Sequence, residues 1–242
     1  MTVGKRFTQL SGLAEDAIAY QLAQRAYRRL FPLPDYRKSY SQFGEDMILL
    51  NLLGNTYGSF VDIGSGHPIK GSNTYALYQR GWSGISVDPL PQNIELARKL
   101  RPRDSNLVSL CGGDSQPREL FEYADYAYST LSRERVVELS SLGINPVDSF
   151  VVPSTTLKDL GVAASPEEAS LLCIDTEGWE LEVLHGNDWT MYRPGVICVE
   201  DLASPLEHQT PIQDLLNDLA YSLVGVLGFS SIYCHRDSGL ID

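Results

Sequence analysis

Apolar positions along this chain switch between two spacings. Near the start, Leu13, Ala17, Tyr20, Ala23 or Gln24, and Tyr27 recur at helical intervals, which predicts a helix over Leu13–Leu30 ended by Pro32 and Pro34. A second predicted helix follows Ser41, carries Met47, Ile48, Leu50 and Leu53, and stops at Gly54. After it, short apolar runs alternate with helical ones. The pattern predicts strands at Ser59–Ile63, Gly84–Val87, Leu107–Cys111, Leu171–Ile174 and Val196–Val199. It predicts helices at Asn73–Gln79, Gln92–Leu100, Arg133–Leu142, Glu180–Leu184 and Ile212–Leu219. The stretch Phe121–Tyr128 is polar and aromatic without a clear period, and Phe150–Val152 is a short apolar run. Alternation of this kind implies an α/β fold, a parallel sheet with helices on both faces. The end differs: Leu223–Leu227 and Ser230–Cys234, separated by Gly228, read as a hairpin that sets one antiparallel strand into the sheet.

Length and composition add limits. A chain of 242 residues can form one large α/β domain, and 43% hydrophobic with 21% charged residues is ordinary globular composition. The longest apolar runs, such as Leu171–Ile174, are too short to span a bilayer, and no secretory signal is evident at the N-terminus. A net charge of −12 opposes binding to nucleic acid or anionic lipid. The basic group Arg25, Arg28, Arg29, Arg37 and Lys38 is either a solvated helix face or a docking surface for an acidic partner or a membrane surface. Cys111, Cys173, Cys198 and Cys234 lie in or beside apolar runs without metal-ligand spacing, the expectation for reduced core thiols of a cytoplasmic protein.

The chemistry begins where strands end. Val61-Asp62-Ile63-Gly64-Ser65-Gly66 closes an apolar strand on an acid and two glycines, letting backbone N–H groups approach a ligand. Asp88, about 20 residues farther on at the end of the next strand, can accept hydrogen bonds from ribose hydroxyls, so an adenosine cofactor is expected. The third glycine of a nicotinamide site is missing, because Ile69 stands there, and His67-Pro68 delays the helix that would cradle a pyrophosphate. No P-loop is present. The pattern suits S-adenosylmethionine, which carries no phosphate.

A family resemblance rests on several stretches in order. Ser41-Gln42-Phe43-Gly44-Glu45-Asp46, Phe60–Pro68, Ser72-Asn73-Thr74-Tyr75, Gly81-Trp82-Ser83-Gly84, Val87-Asp88-Pro89 and Ile174–Glu180 with Val183-Leu184-His185-Gly186 resemble the FkbM-like S-adenosylmethionine-dependent methyltransferases. The resemblance covers about Ser41 to Asp201. It implies a Rossmann-like seven-stranded methyltransferase fold with an antiparallel last strand. It also implies O-methyl transfer, in many members to sugars of glycans or glycosylated natural products. Residues 1–40 then form a helical wing and linker, and residues 41–242 the methyltransferase domain. Alternatives are methylation of a non-sugar hydroxyl and a cofactor-binding scaffold without turnover. A homo-oligomer is compatible with all of these.

Site expectations follow. Asp62, Gly64, Ser65 and Gly66 are expected at the methionine end of the cofactor, Asp88 at the ribose and Asp114 at the adenine amino group. His67 and Asn73 face the methionine end or the acceptor, though Asn73 also suits a helix cap. Gln42 and Glu45 cover the cofactor or cap the second helix. Asp175, at a buried strand's end, is the leading catalytic group. With Glu177, Glu180, Glu200 and Asp201 it forms a cluster of like charges that needs a proton or a cation. Either Asp175, Glu200 and Asp201 bind a divalent metal such as magnesium, or the acids act alone, with Asp175, Glu177 or Glu200 as base. Among the histidines His185, His208 and His235, His208 is the favoured base. Trp179 can stack on a sugar, pack near the sulfonium or fill the core.

Overall fold

The structure, a computed structural model, describes residues 38–53, 56–124, 128–203 and 209–241. The predicted wing helix over Leu13–Leu30 and the candidate base His208 lie outside the described residues. The fold below belongs to the compact unit Ser39–Asp242.

The strands are β1 (Ser59–Ile63), β2 (Ser83–Asp88), β3 (Ser105–Val108), β4 (Leu110–Cys111), β5 (Arg118–Glu122), β6 (Asp148–Val152), β7 (Ser154–Thr155), β8 (Ser170–Ile174), β9 (Val196–Glu200), β10 (Tyr221–Leu227) and β11 (Ser230–His235). The helices are α1 (Glu45–Leu53), α2 (Tyr75–Gln79), α3 (Pro91–Leu100), α4 (Arg133–Ser141), α5 (Glu180–His185) and α6 (Pro211–Asp218).

Seven strands form the main sheet in the order β10-β11-β9-β8-β1-β2-β3. Pairing is parallel from β9 through β8, β1 and β2 to β3, and β11 runs antiparallel to both β9 and β10. The Rossmann-like methyltransferase topology expected from the sequence is present, with the final strand as the reversed one. The order turns back between β1 and β8, so their carboxyl ends flank the switch point where open α/β sheets bind ligands.

Alternation along each strand divides the core. Val61, Ile63, Leu172, Ile174, Ile197 and Val199 meet Val183, Leu184, Ile212 and Leu216 of α5 and α6. Phe60, Leu171, Cys173, Val196 and Cys198 meet Leu49, Leu50, Leu53, Ala76 and Leu77 of α1 and α2. Burial on both faces is why these strands read as unbroken apolar runs. All four cysteines are free and buried.

The expected third strand Leu107–Cys111 is divided. Only β3 joins the main sheet, while β4 pairs with β7. Ser109 makes the break: its N–H donates to the Asp88 carbonyl (3.1 Å) and its hydroxyl to those of Leu110 (2.7 Å) and Pro153 (3.1 Å). The aperiodic stretch around Phe121 contributes β5, which forms an antiparallel ribbon with β6.

Candidate active site

Backbone geometry builds the floor of the site. Gly64 and Gly66 take positive φ (72° and 54°), which glycine adopts without steric cost. The N–H groups of Gly64 and Ser65 both donate to the Val87 carbonyl (2.9 and 3.2 Å), folding the turn over β2. From β8, the Asp175 N–H donates to the Ile63 carbonyl (3.0 Å). A Cβ on Gly64 would lie 1.6 Å from the Asp175 carbonyl oxygen, so the two strand ends approach as closely as only glycine permits.

Asp88 ties the turn to the next helix. Its Oδ2 accepts from the Gly66 N–H (2.8 Å), and its Oδ1 accepts from the Leu90 N–H (2.9 Å) and the Asn93 amide (3.1 Å). Burial raises its pKa despite these donors. Beside it opens a cavity of about 780 Å³. Gly64, Gly66, Asp88, Asp175 and Glu177 line one part, and Leu90, Leu110, Leu120 and Phe121 another. Arg118, Thr130, Arg133 and Trp179 complete much of the rim. The ribbon residues were not identified from the sequence as site residues.

Carboxylates gather at the β8 and β9 ends. Asp175 meets solvent through the cavity but is packed by protein elsewhere. That packing first, then Glu177, Glu180, Asp62 and Glu45, pushes its pKa up to about 7. Burial, then Asp175, Glu177 and Glu180, pushes Glu200 up to about 8. Glu180 shapes the intervening loop: one carboxylate oxygen accepts from the Thr176 N–H (2.9 Å), the Thr176 hydroxyl (3.0 Å) and the Gly178 N–H (3.0 Å). Glu177, within this loop, is held at φ 55°. Glu45 is buried at the start of α1, accepting from the Phe43 N–H (2.8 Å) and the Ser230 hydroxyl (3.1 Å).

Several expected residues are placed elsewhere. Asp62 accepts from the Thr74 hydroxyl (2.5 Å) and lies 4.0 Å from Arg101, outside the cavity wall. Asp114 is exposed and held by Arg118 (2.9 Å) and the Gln116 N–H (2.8 Å); Arg118, not Asp114, lines the cavity. Asp201 accepts from the Thr210 hydroxyl (2.6 Å), capping the approach to α6. Among the described residues no three His, Cys, Asp or Glu side chains are arranged to hold a metal ion, so the trio Asp175, Glu200 and Asp201 does not converge. Gln42 is exposed, and Asn73 aims its amide at Cys198 (3.9 Å). His67 accepts from the Ile69 and Lys70 N–H groups (3.1 Å each), a local turn role. His235 is buried and accepts from the Asp237 N–H (3.1 Å).

Known proteins supply the remaining context. None of the curated proteins matches this chain. The fold is loosely similar to three solved structures at 12% identity. They are a methyltransferase FkbM from Methylobacillus flagellatus (TM-score 0.45, 74% of this chain and 44% of that one), a TehB-like SAM-dependent methyltransferase from Corynebacterium glutamicum (0.42, 91% and 100%) and a methyltransferase from Geobacter sulfurreducens (0.43, 98% and 97%). This chain thus spans less than half of the first of these. The methyltransferase FkbM domain model matches residues 62–223, about two thirds of the sequence, from the acid before the glycine turn into β10. On that match, the chain belongs to the FkbM methyltransferase family.

Proposed function

We propose that the protein transfers the methyl group of S-adenosylmethionine to a hydroxyl oxygen, most specifically that of a sugar in a glycan or glycosylated metabolite. The observation that carries this reading is that the glycine turn, Asp88 and Asp175 line one cavity, so a methyl donor resting on the turn would share that cavity with a carboxyl group.

The remaining cavity wall suits the rest of the cofactor. A carboxylate offers about four lone-pair positions, and the protein's own donors use three of those on Asp88. One position on Oδ2 is left for a ribose hydroxyl. Leu90, Leu110 and Leu120 provide an apolar slot of the kind an adenine ring fills.

In the proposed step the acceptor oxygen attacks the sulfonium methyl carbon. The O–C bond forms as the C–S bond breaks, the hydroxyl proton passes to a carboxylate, and an ether and S-adenosylhomocysteine result. Alignment of oxygen, carbon and sulfur supplies roughly 7–11 kcal/mol. Asp175, with a pKa near neutrality, is suited to take the proton, a contribution of about 10²–10⁴-fold. Among the described residues no three His, Cys, Asp or Glu side chains are grouped to hold a metal ion, and the step is written through the side chains alone.

Mass spectrometry of products from a panel of sugars and nucleotide sugars incubated with S-adenosylmethionine tests the reading. The expected product is heavier by one methylene unit. Methylation confined to acceptors without a sugar would remove the sugar from the proposal.

A further inference from the structure

The backbone of Asp175 is pinned on both sides. Toward the sheet, its N–H donates to the Ile63 carbonyl of β1 (3.0 Å). Toward the loop, the next peptide is held by Glu180, the first residue of α5. One Glu180 oxygen, Oε1, accepts from the Thr176 N–H (2.9 Å), the Thr176 hydroxyl (3.0 Å) and the Gly178 N–H (3.0 Å). The Thr176 N–H belongs to the planar peptide unit that begins at Asp175, so fixing it fixes the direction in which the chain leaves Asp175.

What this grip maintains is a costly turn. Glu177 and Gly178 are successive residues at positive φ (55° and 99°). Glycine takes that backbone freely, while a residue with a Cβ loses about 1–2 kcal/mol. Such strain persists only where surrounding contacts over-determine it. Glu180 supplies those contacts from a side chain that is itself buried, and bonds to a carboxylate are stronger than neutral ones. Asp175, Thr176, Glu177, Gly178 and Trp179 all line the cavity, whereas Glu180 does not. Glu180 also acts on Asp175 through space, as one of five acids in reach of it: Glu177 in the same loop, Glu180 on α5, Asp62 on β1, Glu45 on α1 and Glu200 on β9.

We infer that Glu180 is a positioning residue for the reaction. Without lining the cavity, it holds the Asp175–Gly178 turn in the path that presents the Asp175 carboxyl to the cavity, and it sets a fixed negative charge beside that carboxyl. This rests on the reading of Asp175 as the proton acceptor and adds the group on which that acceptor depends.

Two variants separate the grip from the charge. Glu180→Gln keeps an oxygen for the same donors and removes the charge, while Glu180→Ala removes both. Carboxyl-carbon NMR of the full chain, labelled at aspartate and loaded with S-adenosylhomocysteine, follows Asp175 without an acceptor; the signal is assigned by its absence in Asp175→Asn. In Glu180→Gln the signal should stay single while its titration midpoint moves to lower pH. In Glu180→Ala it should split or broaden as the turn takes more than one path, with the affinity for S-adenosylhomocysteine kept within about threefold. With the best acceptor of the sugar panel, kcat should fall roughly 10–100-fold in Glu180→Ala. It should recover to within about fivefold of wild type in Glu180→Gln, whose neutral oxygen makes the weaker bonds. A single, unshifted Asp175 signal in both variants overturns the assignment, as does an unchanged kcat in Glu180→Ala. A lowered melting temperature with neither change also overturns it, leaving Glu180 a residue of the fold alone. If Glu180→Ala does not fold, Glu180→Gln decides the matter, and an unmoved midpoint there overturns the assignment. Turnover unaffected by Asp175→Asn instead counts against Asp175 as the base.

Discussion

The carbonyl oxygen of Asp175 lies 1.6 Å from where Gly64 would carry a Cβ. Replacing Gly64 with alanine must therefore separate β1 from β8 at the switch point. Overpacking costs roughly 1–3 kcal/mol and the left-handed backbone about 1–2 kcal/mol more. Gly64→Ala is expected to lower the urea midpoint accordingly and to abolish measurable binding of S-adenosylhomocysteine. Full binding by this variant would show that the glycine turn is not the cofactor's bed.

Asp88 holds the glycine turn through Gly66 and keeps one lone pair for a ligand. In Asp88→Asn the amide nitrogen replaces an acceptor, so either the turn or the ribose loses a charge-assisted hydrogen bond. Such bonds are worth about 1.5–3 kcal/mol, so affinity for S-adenosylhomocysteine should fall roughly 10–150-fold. Calorimetry reads this directly; an unchanged affinity would detach Asp88 from the ribose.

The elevated carboxyl groups predict opposite pH trends for stability and activity. Asp175 and Glu200 have folded-state pKa values near 7 and 8, above their ordinary 3.8 and 4.5. The folded chain therefore holds more protons between these limits. The stability linked to them is complete below about pH 4 and is lost as pH rises through 7 and then 8. Asp175→Asn and Glu200→Gln should flatten this decline in denaturation midpoints measured from pH 5 to 9. Activity runs the other way, because the base must be ionised: kcat/KM should rise tenfold per pH unit below about 7. A pH-independent kcat/KM in wild type would remove Asp175 as the base.

Arg101 is 1% exposed and sits between Asp104 (2.7 Å) and Asp62 (4.0 Å), over the rings of Phe60 and Tyr78. Arg101→Leu leaves two buried carboxyl groups without their cation. Removing one partner of a buried pair costs about 3–5 kcal/mol, and a comparable fall in unfolding free energy is expected. A loss below about 1 kcal/mol would mean that Asp62 and Asp104 are held neutral without it.

The parts of this protein that the sequence disclosed are those where burial leaves a pattern. Strands β1, β8 and β9 are covered on both faces, so they read as apolar runs, β2 shows Ile85 and Val87 in alternation, and Gly64, Asp88, Asp175 and Glu200 stand at or just past the strand ends. The direction of a side chain was harder to read. Asp62 precedes the glycines, but alternation sets it opposite Val61 and Ile63, on the face where Thr74 and Arg101 meet it. Glu200 and Asp201 are successive residues at a strand end, where neighbours point to opposite sides. Asp201 therefore reaches Thr210 rather than a shared metal. Strand β5 escaped notice because only Leu120 of its five residues is buried, leaving no apolar run. The partners of Asp114 in the turn that follows β4 are set by the local chain path, which the turn residues alone did not specify.

Titration calorimetry of the full chain with S-adenosylhomocysteine, and separately with a nicotinamide dinucleotide, tests the central claim most directly. The account predicts saturable one-to-one binding of S-adenosylhomocysteine and no heat from the dinucleotide. Binding of the dinucleotide without binding of S-adenosylhomocysteine would contradict it.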